Sequence, residues 1–319
     1  MSPRLLRLAL LVTTLTATAG AQGAGPLFRM GMGARSLAIP SQVADRSGLA
    51  SPYLNPALAP FQPSQGVELS AGLLAFDREW ESVQVAAPLR PRSGFAAGVI
   101  HGGVSNIDGR DASGRPTDGT NEDGTYNADE YAFFAAFGTQ LSGRVSAGVG
   151  LRLYRNDLFP GVRAPTAIGI ALGASAQVTD NVSVGVVVDD LFARYERNAT
   201  GAVAAGATDY FPTRLRAGVA ATAGERSDGR PRVTLAAEGE LFIQRADATR
   251  PDGITVFTTE PVEDSETTDF TLADVQGRAG AEVWLVDGFA VRAGLDRIGA
   301  GAVREIRPSA GFGLEQRFV

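Results

Sequence analysis

From Val67 onward the chain alternates. Val67, Leu69, Ala71, Leu73 and Ala75 are separated by Glu68, Ser70 and Gly72, and Val145, Ala147, Val149, Leu151 and Leu153 by Ser146, Gly148, Gly150 and Arg152. The same period of two runs through 182–188, 233–243, 275–285 and 289–295. Such alternation predicts strands with one apolar and one polar face, roughly a dozen of them before Val319. The connections sort by parity. Tight ones fall at 90–93, 142–143, 179–181, 225–231 and 287–288, and longer ones at 107–125, 156–163, 191–211 and 246–270. Short turns at one end and long loops at the other describe a barrel that crosses an outer membrane, whereas a soluble sandwich has no reason to sort its loops. Strands of about 10–14 residues also suit a tilted bilayer crossing. The expected fold is all-β, a transmembrane antiparallel β-barrel of about 12–14 strands.

The first residues agree with that destination. Arg4 and Arg7 precede an apolar run over 8–15, and Ala19-Gly20-Ala21 fits a small-x-small cleavage rule. Residues 1–21 therefore read as a signal peptide, 22–65 as a separate N-terminal segment and 66–319 as the barrel. The expected location is the bacterial outer membrane, with its lipid as the first partner. The 22–65 segment lacks the period of two and is rich in Gly, Pro, Ala and Ser. Its Leu27, Phe28, Met30, Met32 and Leu37 are too apolar to float free. Either it adds edge strands or it folds inward as a hatch or plug for a lumen that needs filling.

Composition narrows the chemistry. The 319 residues include 29 basic and 35 acidic ones, a net charge of −6, no Cys and one His. Without a basic run, nucleic acid is not an expected partner. Absent Cys removes thiol nucleophiles, disulfides and Fe–S or zinc–thiolate sites, and one His excludes a multi-His metal site. No cofactor or metal is expected. His101 sits near the outer end of its strand, with Ser105 four residues on. On a strand that spacing is about 13 Å, too far for a hydrogen bond, so no enzyme is expected. The loop from Asp118 to Gly124, with Glu130 beyond, has the composition of a calcium loop but is one residue out of register, since Gly119 stands where an Asp is needed. It reads as a solvated acidic loop. Asn198-Ala199-Thr200 is a formal sequon without meaning in a bacterial envelope.

If the apolar parity faces lipid, the other lines the lumen. That places Glu68, Arg152, Arg214, Arg216, Glu238, Glu240, Arg278, Glu282, Arg292, Asp296, Glu315 and Arg317 inside. Opposite charges on neighbouring strands brace a barrel wall. The rival reading is a polar conduit or a docking site for an anionic group.

The N-terminal segment carries a likeness. Gly33-Ala34-Arg35 within 30–38, Val43-Ala44-Asp45, and Tyr53-Leu54-Asn55-Pro56-Ala57 resemble the opening of the PorV/PorQ family, part of the broader FadL-like group of outer-membrane barrels. Ile39-Pro40-Ser41 and Leu58 depart from the family pattern, while 211–218 and 278–284 resemble its later strands. The resemblance implies about 14 strands, a hatch near Asn55 and no enzymatic role. PorV-like members serve type IX secretion, receiving protein cargo at the cell surface, and FadL-like barrels carry hydrophobic compounds. The first is the expectation for this chain, with secreted cargo or secretion-machinery subunits as partners. The alternative is a channel or carrier whose hydrophobic ligand meets Phe28, Met30 and Met32 in the hatch. Phe257 and the Tyr210-Phe211 pair are expected as exposed loop apolars for a protein partner. Asn55-Pro56 forms a rigid corner, because Pro56 fixes its own φ and biases Asn55 toward extended backbone.

Overall fold

The computed structural model describes residues 24–47, 51–74, 76–110, 113–117, 119, 121, 124–157, 164–196, 208–247, 268–299 and 306–315. The expected signal peptide, Arg317, Phe257 and the sequon lie outside them. No helix among them is long and apolar enough to cross a membrane, which says nothing of strands.

The strands are β1 (Gly66–Leu74), β2 (Arg78–Leu89), β3 (Ser93–Asp108), β4 (Thr125–Gln140), β5 (Val145–Asp157), β6 (Thr166–Thr179), β7 (Val182–Leu191), β8 (Arg194–Glu196), β9 (Thr208–Tyr210), β10 (Thr213–Glu225), β11 (Pro231–Asp247), β12 (Thr268–Val286), β13 (Phe289–Ile298) and β14 (Arg307–Leu314). Twelve form one antiparallel sheet in chain order, and β8 and β9 pair as a small hairpin between β7 and β10. Each wall strand is paired to its neighbours in sequence, which is the up-and-down connectivity of a membrane barrel. Among the described residues no ladder joins β1 to β14.

Side-chain parity divides as the alternation predicts. Val83, Phe95, Phe133, Val149, Leu151, Ile168, Val186, Leu235 and Val291 are exposed on the outer face, while Gln84, Ser146, Arg152, Ser183, Arg216, Glu240 and Glu282 are buried inside. On β5 the outward apolar run from Val145 to Leu153 spans nine residues. At about 3.3 Å per residue and a tilt near 40° this gives a band roughly 20–25 Å tall, the height of a hydrocarbon core. Above it, Glu81, His101, Tyr131 and Arg155 stand in register across β2–β5 and mark where the outer face turns polar. Leu151→Arg, near mid-band, should therefore cost about 2–4 kcal/mol of stability in lipid vesicles. An unchanged urea midpoint for that variant would mean Leu151 does not meet hydrocarbon.

The described residues of the N-terminal segment add no strand to the wall. It forms a 3-10 turn (Leu27–Met30), helix α1 (Gly33–Ala38) and a second 3-10 helix (Pro56–Phe61). It lies inside the curled sheet and reaches residues of all twelve wall strands, β11 included, where Glu238 accepts from the Val43 N–H at 3.2 Å.

Candidate functional site

The lumen is filled in three layers. The first, toward the short turns, is made by glycines. A Cβ on Gly94 would lie 2.1 Å from the Ala59 carbonyl, on Gly148 2.4 Å from Pro56, on Gly173 2.0 Å from Asn55 Oδ1 and on Gly185 2.2 Å from the Val43 carbonyl. The inner parity is small where the plug backbone approaches, so the hatch seats directly on the wall. Asn55 is fully buried. Its Oδ1 accepts from the Ala57 N–H at 3.0 Å, and its Nδ2 donates to the Val43 carbonyl at 2.7 Å and to the Ala174 carbonyl of β6 at 3.3 Å. Pro56 opens the following 3-10 turn, where its missing N–H costs nothing. One side chain thus ties two hatch segments to the wall. Asn55→Ala strands those buried groups and should destabilise by about 1–3 kcal/mol, seen as faster proteolysis of 24–65 while the barrel still shifts on unheated gels. Unaltered protease resistance would count against that role.

The second layer is charged. Arg152 pairs with Asp189 at 2.8 Å and Asp190 at 3.1 Å, Arg214 with Asp190 at 3.1 Å and Glu240 at 3.3 Å, and Arg216 with Asp189 at 2.6 Å. Arg278 bridges Glu238 at 3.3 Å, Glu240, and Asp296 at 2.8 Å. A second group joins Arg292 and hatch Arg35 on Glu282 at 2.6 and 3.1 Å, with Arg35 also on Asp45 at 2.8 Å. Burial opposes a charged Arg35, but the Asp45 and Glu282 carboxylates outweigh it and hold the guanidinium pKa above its usual value. Two wall arginines also reach the hatch backbone: Arg152 donates to the Tyr53 carbonyl at 2.6 Å and Arg216 to the Leu54 carbonyl. The wall brace is therefore also the hatch latch.

Asp189 and Asp190 were absent from the set expected in the lumen. Neighbours on a strand point to opposite faces, so parity admits Asp189 and excludes Asp190. Asp190 has φ 60°, and the β6–β7 register slips there, two β7 residues facing Ala171 alone. That bulge turns both carboxylates inward. The only hint in the sequence is an acidic pair closing the Val186-Val187-Val188 run.

The third layer, toward the long loops, is aromatic. Phe28 packs on Tyr154 at 5.1 Å between centroids, Tyr154 on Phe211 at 4.4 Å, Tyr195 on Phe211 at 5.0 Å and Tyr53 on Phe134 at 5.1 Å. Trp80, Ile100 and Met32 join the same buried cluster. Tyr53 Oη donates to the Phe28 carbonyl at 2.8 Å, and burial pushes its pKa up. Arg29, beside Phe28, has its pKa pushed down to about 10 by burial and then by Arg214. A small cleft under the β8–β9 hairpin opens on this layer, lined by Phe192, Arg194, Tyr210 and Phe211 with Asp190 at its edge.

The remaining expected residues fall as follows. Phe28, Met32, Gly33 and Arg35 are buried in the hatch, and Met30 is half-buried. Glu68 accepts from Gln84 Nε2 at 2.7 Å. Glu315 stands apart from the central charges, at the short-turn end, bound by Arg226 at 2.9 Å and by Arg230. It follows the last described strand, so its place is a turn cluster and not the lumen wall. Phe211, expected exposed, is 4% exposed, because the β8–β9 hairpin folds it back onto Tyr154. His101 faces outward, 3.2 Å from Glu81 and 2.8 Å from Asp129. In the acidic loop, Asp118, Glu122 and Asp123 lie outside the described residues; of the others, Asn121 Nδ2 donates to Thr125 and Asn127, and Glu130 accepts from Asn156 at 2.8 Å. No metal-holding group occurs among the described residues.

No family model and no curated protein matches the chain. Solved structures do. The CymD monoaromatic hydrocarbon channel is similar over 89% of this chain and 89% of its own, with a TM-score of 0.52 and 16% identity. A deltaS2S3 mutant of the TodX monoaromatic hydrocarbon channel is similar over 89% and 90%, with a TM-score of 0.53 and 13% identity. The Pseudomonas putida toluene transporter TodX covers 90% and 89% at 0.49 and 13%. The chain thus shares its barrel fold with the CymD and TodX structures. The narrower PorV/PorQ assignment finds no support among these structures.

Proposed function

We propose that the chain is an outer-membrane channel or carrier for small hydrophobic molecules. The observation that carries this reading is the aromatic layer on the long-loop side of the plug, built from hatch Phe28 and Tyr53 and wall Trp80, Phe134, Tyr154 and Phe211. Polar solutes gain nothing from such a surface, whereas apolar ligands are held by concave aromatic sites with a few polar groups. The similar fold of channels described as carrying monoaromatic hydrocarbons is consistent with it. The secretion reading has less support. Arg35 and Asn55, within the segments that suggested it, are buried in architecture, and Phe211 offers no surface to a protein.

The two tryptophans give the test. Trp80 lies in the aromatic layer and Trp284 beside Arg226 at the other end. Titrating the detergent-solubilised barrel with toluene should change the emission of the wild type and of Trp284→Phe, and leave Trp80→Phe silent. Accelerated toluene uptake by cells bearing the barrel should accompany it. No ligand-dependent emission together with capture of secreted proteins would reverse the reading.

A further inference from the structure

The arginines at the short-turn end fall into two groups. In and beside the β10–β11 turn each has an acid at hand. Arg226 and Arg230 both bind Glu315, Arg230 binds Asp228 at 2.7 Å, and Arg232 lies 3.7 Å from Asp287. On the β2–β6 side that balance is lost. Arg90 and Arg92 in the β2–β3 turn and Arg144 in the β4–β5 turn are exposed, and among the described residues they enter no ion pair. Asp180, exposed in the β6–β7 turn, pairs with none of them. Hatch Arg46 adds a further positive charge from within. Its Nη1 donates to the Arg144 carbonyl at 3.0 Å and to Gln177 Oε1 at 3.2 Å, and its guanidinium lies 3.9 Å over the Phe61 ring. The Gln140 N–H donates to the Arg92 carbonyl and the Gln177 N–H to the Arg144 carbonyl, both at 2.8 Å, so these turns form one continuous rim.

Directly above the rim the outer face is apolar. Leu89 adjoins Arg90 and Val145 adjoins Arg144, and both are exposed, as are Phe95, Phe137 and Leu141. Short turns of a membrane barrel face the periplasm. The free guanidiniums therefore stand where acyl chains end and head groups begin. A phospholipid laid on this wall keeps its chains on Leu89, Phe95, Phe137 and Val145 while its phosphate reaches the arginines. A soluble anion gains only the second contact, and a zwitterionic lipid brings an ammonium that offsets it.

We propose that the β2–β6 rim docks an anionic phospholipid of the periplasmic leaflet through Arg90, Arg92 and Arg144.

Lipid retention tests this. The full chain is extracted into mild detergent from vesicles of equimolar phosphatidylglycerol and phosphatidylcholine, and the lipid that stays bound is measured by mass spectrometry. The wild type should retain phosphatidylglycerol over phosphatidylcholine about tenfold, as expected for several basic side chains at a head group. Arg90→Gln/Arg92→Gln/Arg144→Gln should bring the ratio near one while the barrel still shifts on unheated gels. Lys at the same three positions should keep most of the preference, since a phosphate accepts a point charge. Arg232→Gln, whose charge Asp287 already offsets, should leave it unchanged. A wild-type ratio near one would overturn the proposal, as would a triple Gln variant as selective as the wild type. Loss of the phosphatidylglycerol to a wash with inorganic phosphate would mark a free-anion site instead. An unselective barrel that captures soluble polyglutamate would give the rim to a protein, and either result overturns the lipid assignment.

Discussion

Asp189→Ala should be the most damaging single change in the wall. Asp189 is completely buried between Arg152 and Arg216, with Arg214 at 3.6 Å. Its removal leaves guanidiniums facing one another without their shared counter-charge. Deleting one partner of a buried pair costs about 3–5 kcal/mol, because the remaining charge is neither solvated nor neutralised. The loss is compounded here, since Arg152 and Arg216 also hold the Tyr53 and Leu54 carbonyls. A large fall in the urea midpoint of the vesicle-embedded protein is expected, with earlier proteolysis of 24–65. Asp157→Ala is the control: its pair with Arg155 is half-exposed on the outer face, and such pairs are worth about 0–1 kcal/mol. Equal midpoints for the two variants would show that the Asp189 cluster carries no more than a surface pair.

What the sequence made legible follows from the strength of each local signal. A period of two sustained over nine or more residues leaves little choice of fold, and it assigned Arg214, Arg216, Glu238, Glu240, Arg278 and Glu282 to the inner face, where they are found. Parity fails wherever the backbone breaks step. Asp190 escaped because a single positive φ reverses its face, and no propensity announces that bulge. Glu315 was misplaced because parity was carried one residue past the end of β14. The hatch was legible only as a segment without a period. Its seat is written in glycines such as Gly148 and Gly173, which read as weak strand residues until the backbone they face is known. The aromatic layer was the least legible. Phe28, Trp80, Tyr154 and Phe211 come from four distant places in the chain, and only the curled wall brings them together.

Those glycines give the second large effect. Gly173 lies on β6 between Gly148 and Val187. Any Cβ there would fall 2.0 Å from Asn55 Oδ1 and 3.0 Å from Pro56 Cδ. Neither can yield cheaply, for Asn55 is held by three hydrogen bonds and Pro56 abuts Gly148 on the next strand. Gly173→Val adds two methyl groups at that point, and Val itself suits a strand. The wall should therefore hold and the plug should leave. In planar bilayers the wild type, with its lumen filled, should pass little current. Gly173→Val should conduct persistently, approaching a variant lacking 24–62. Gly239→Val is the matched control, since a Cβ there meets nothing within 4 Å, and it should stay as quiet as the wild type. A Gly173→Val barrel that remains silent with an unshifted urea midpoint would show that the hatch does not seat against Gly173.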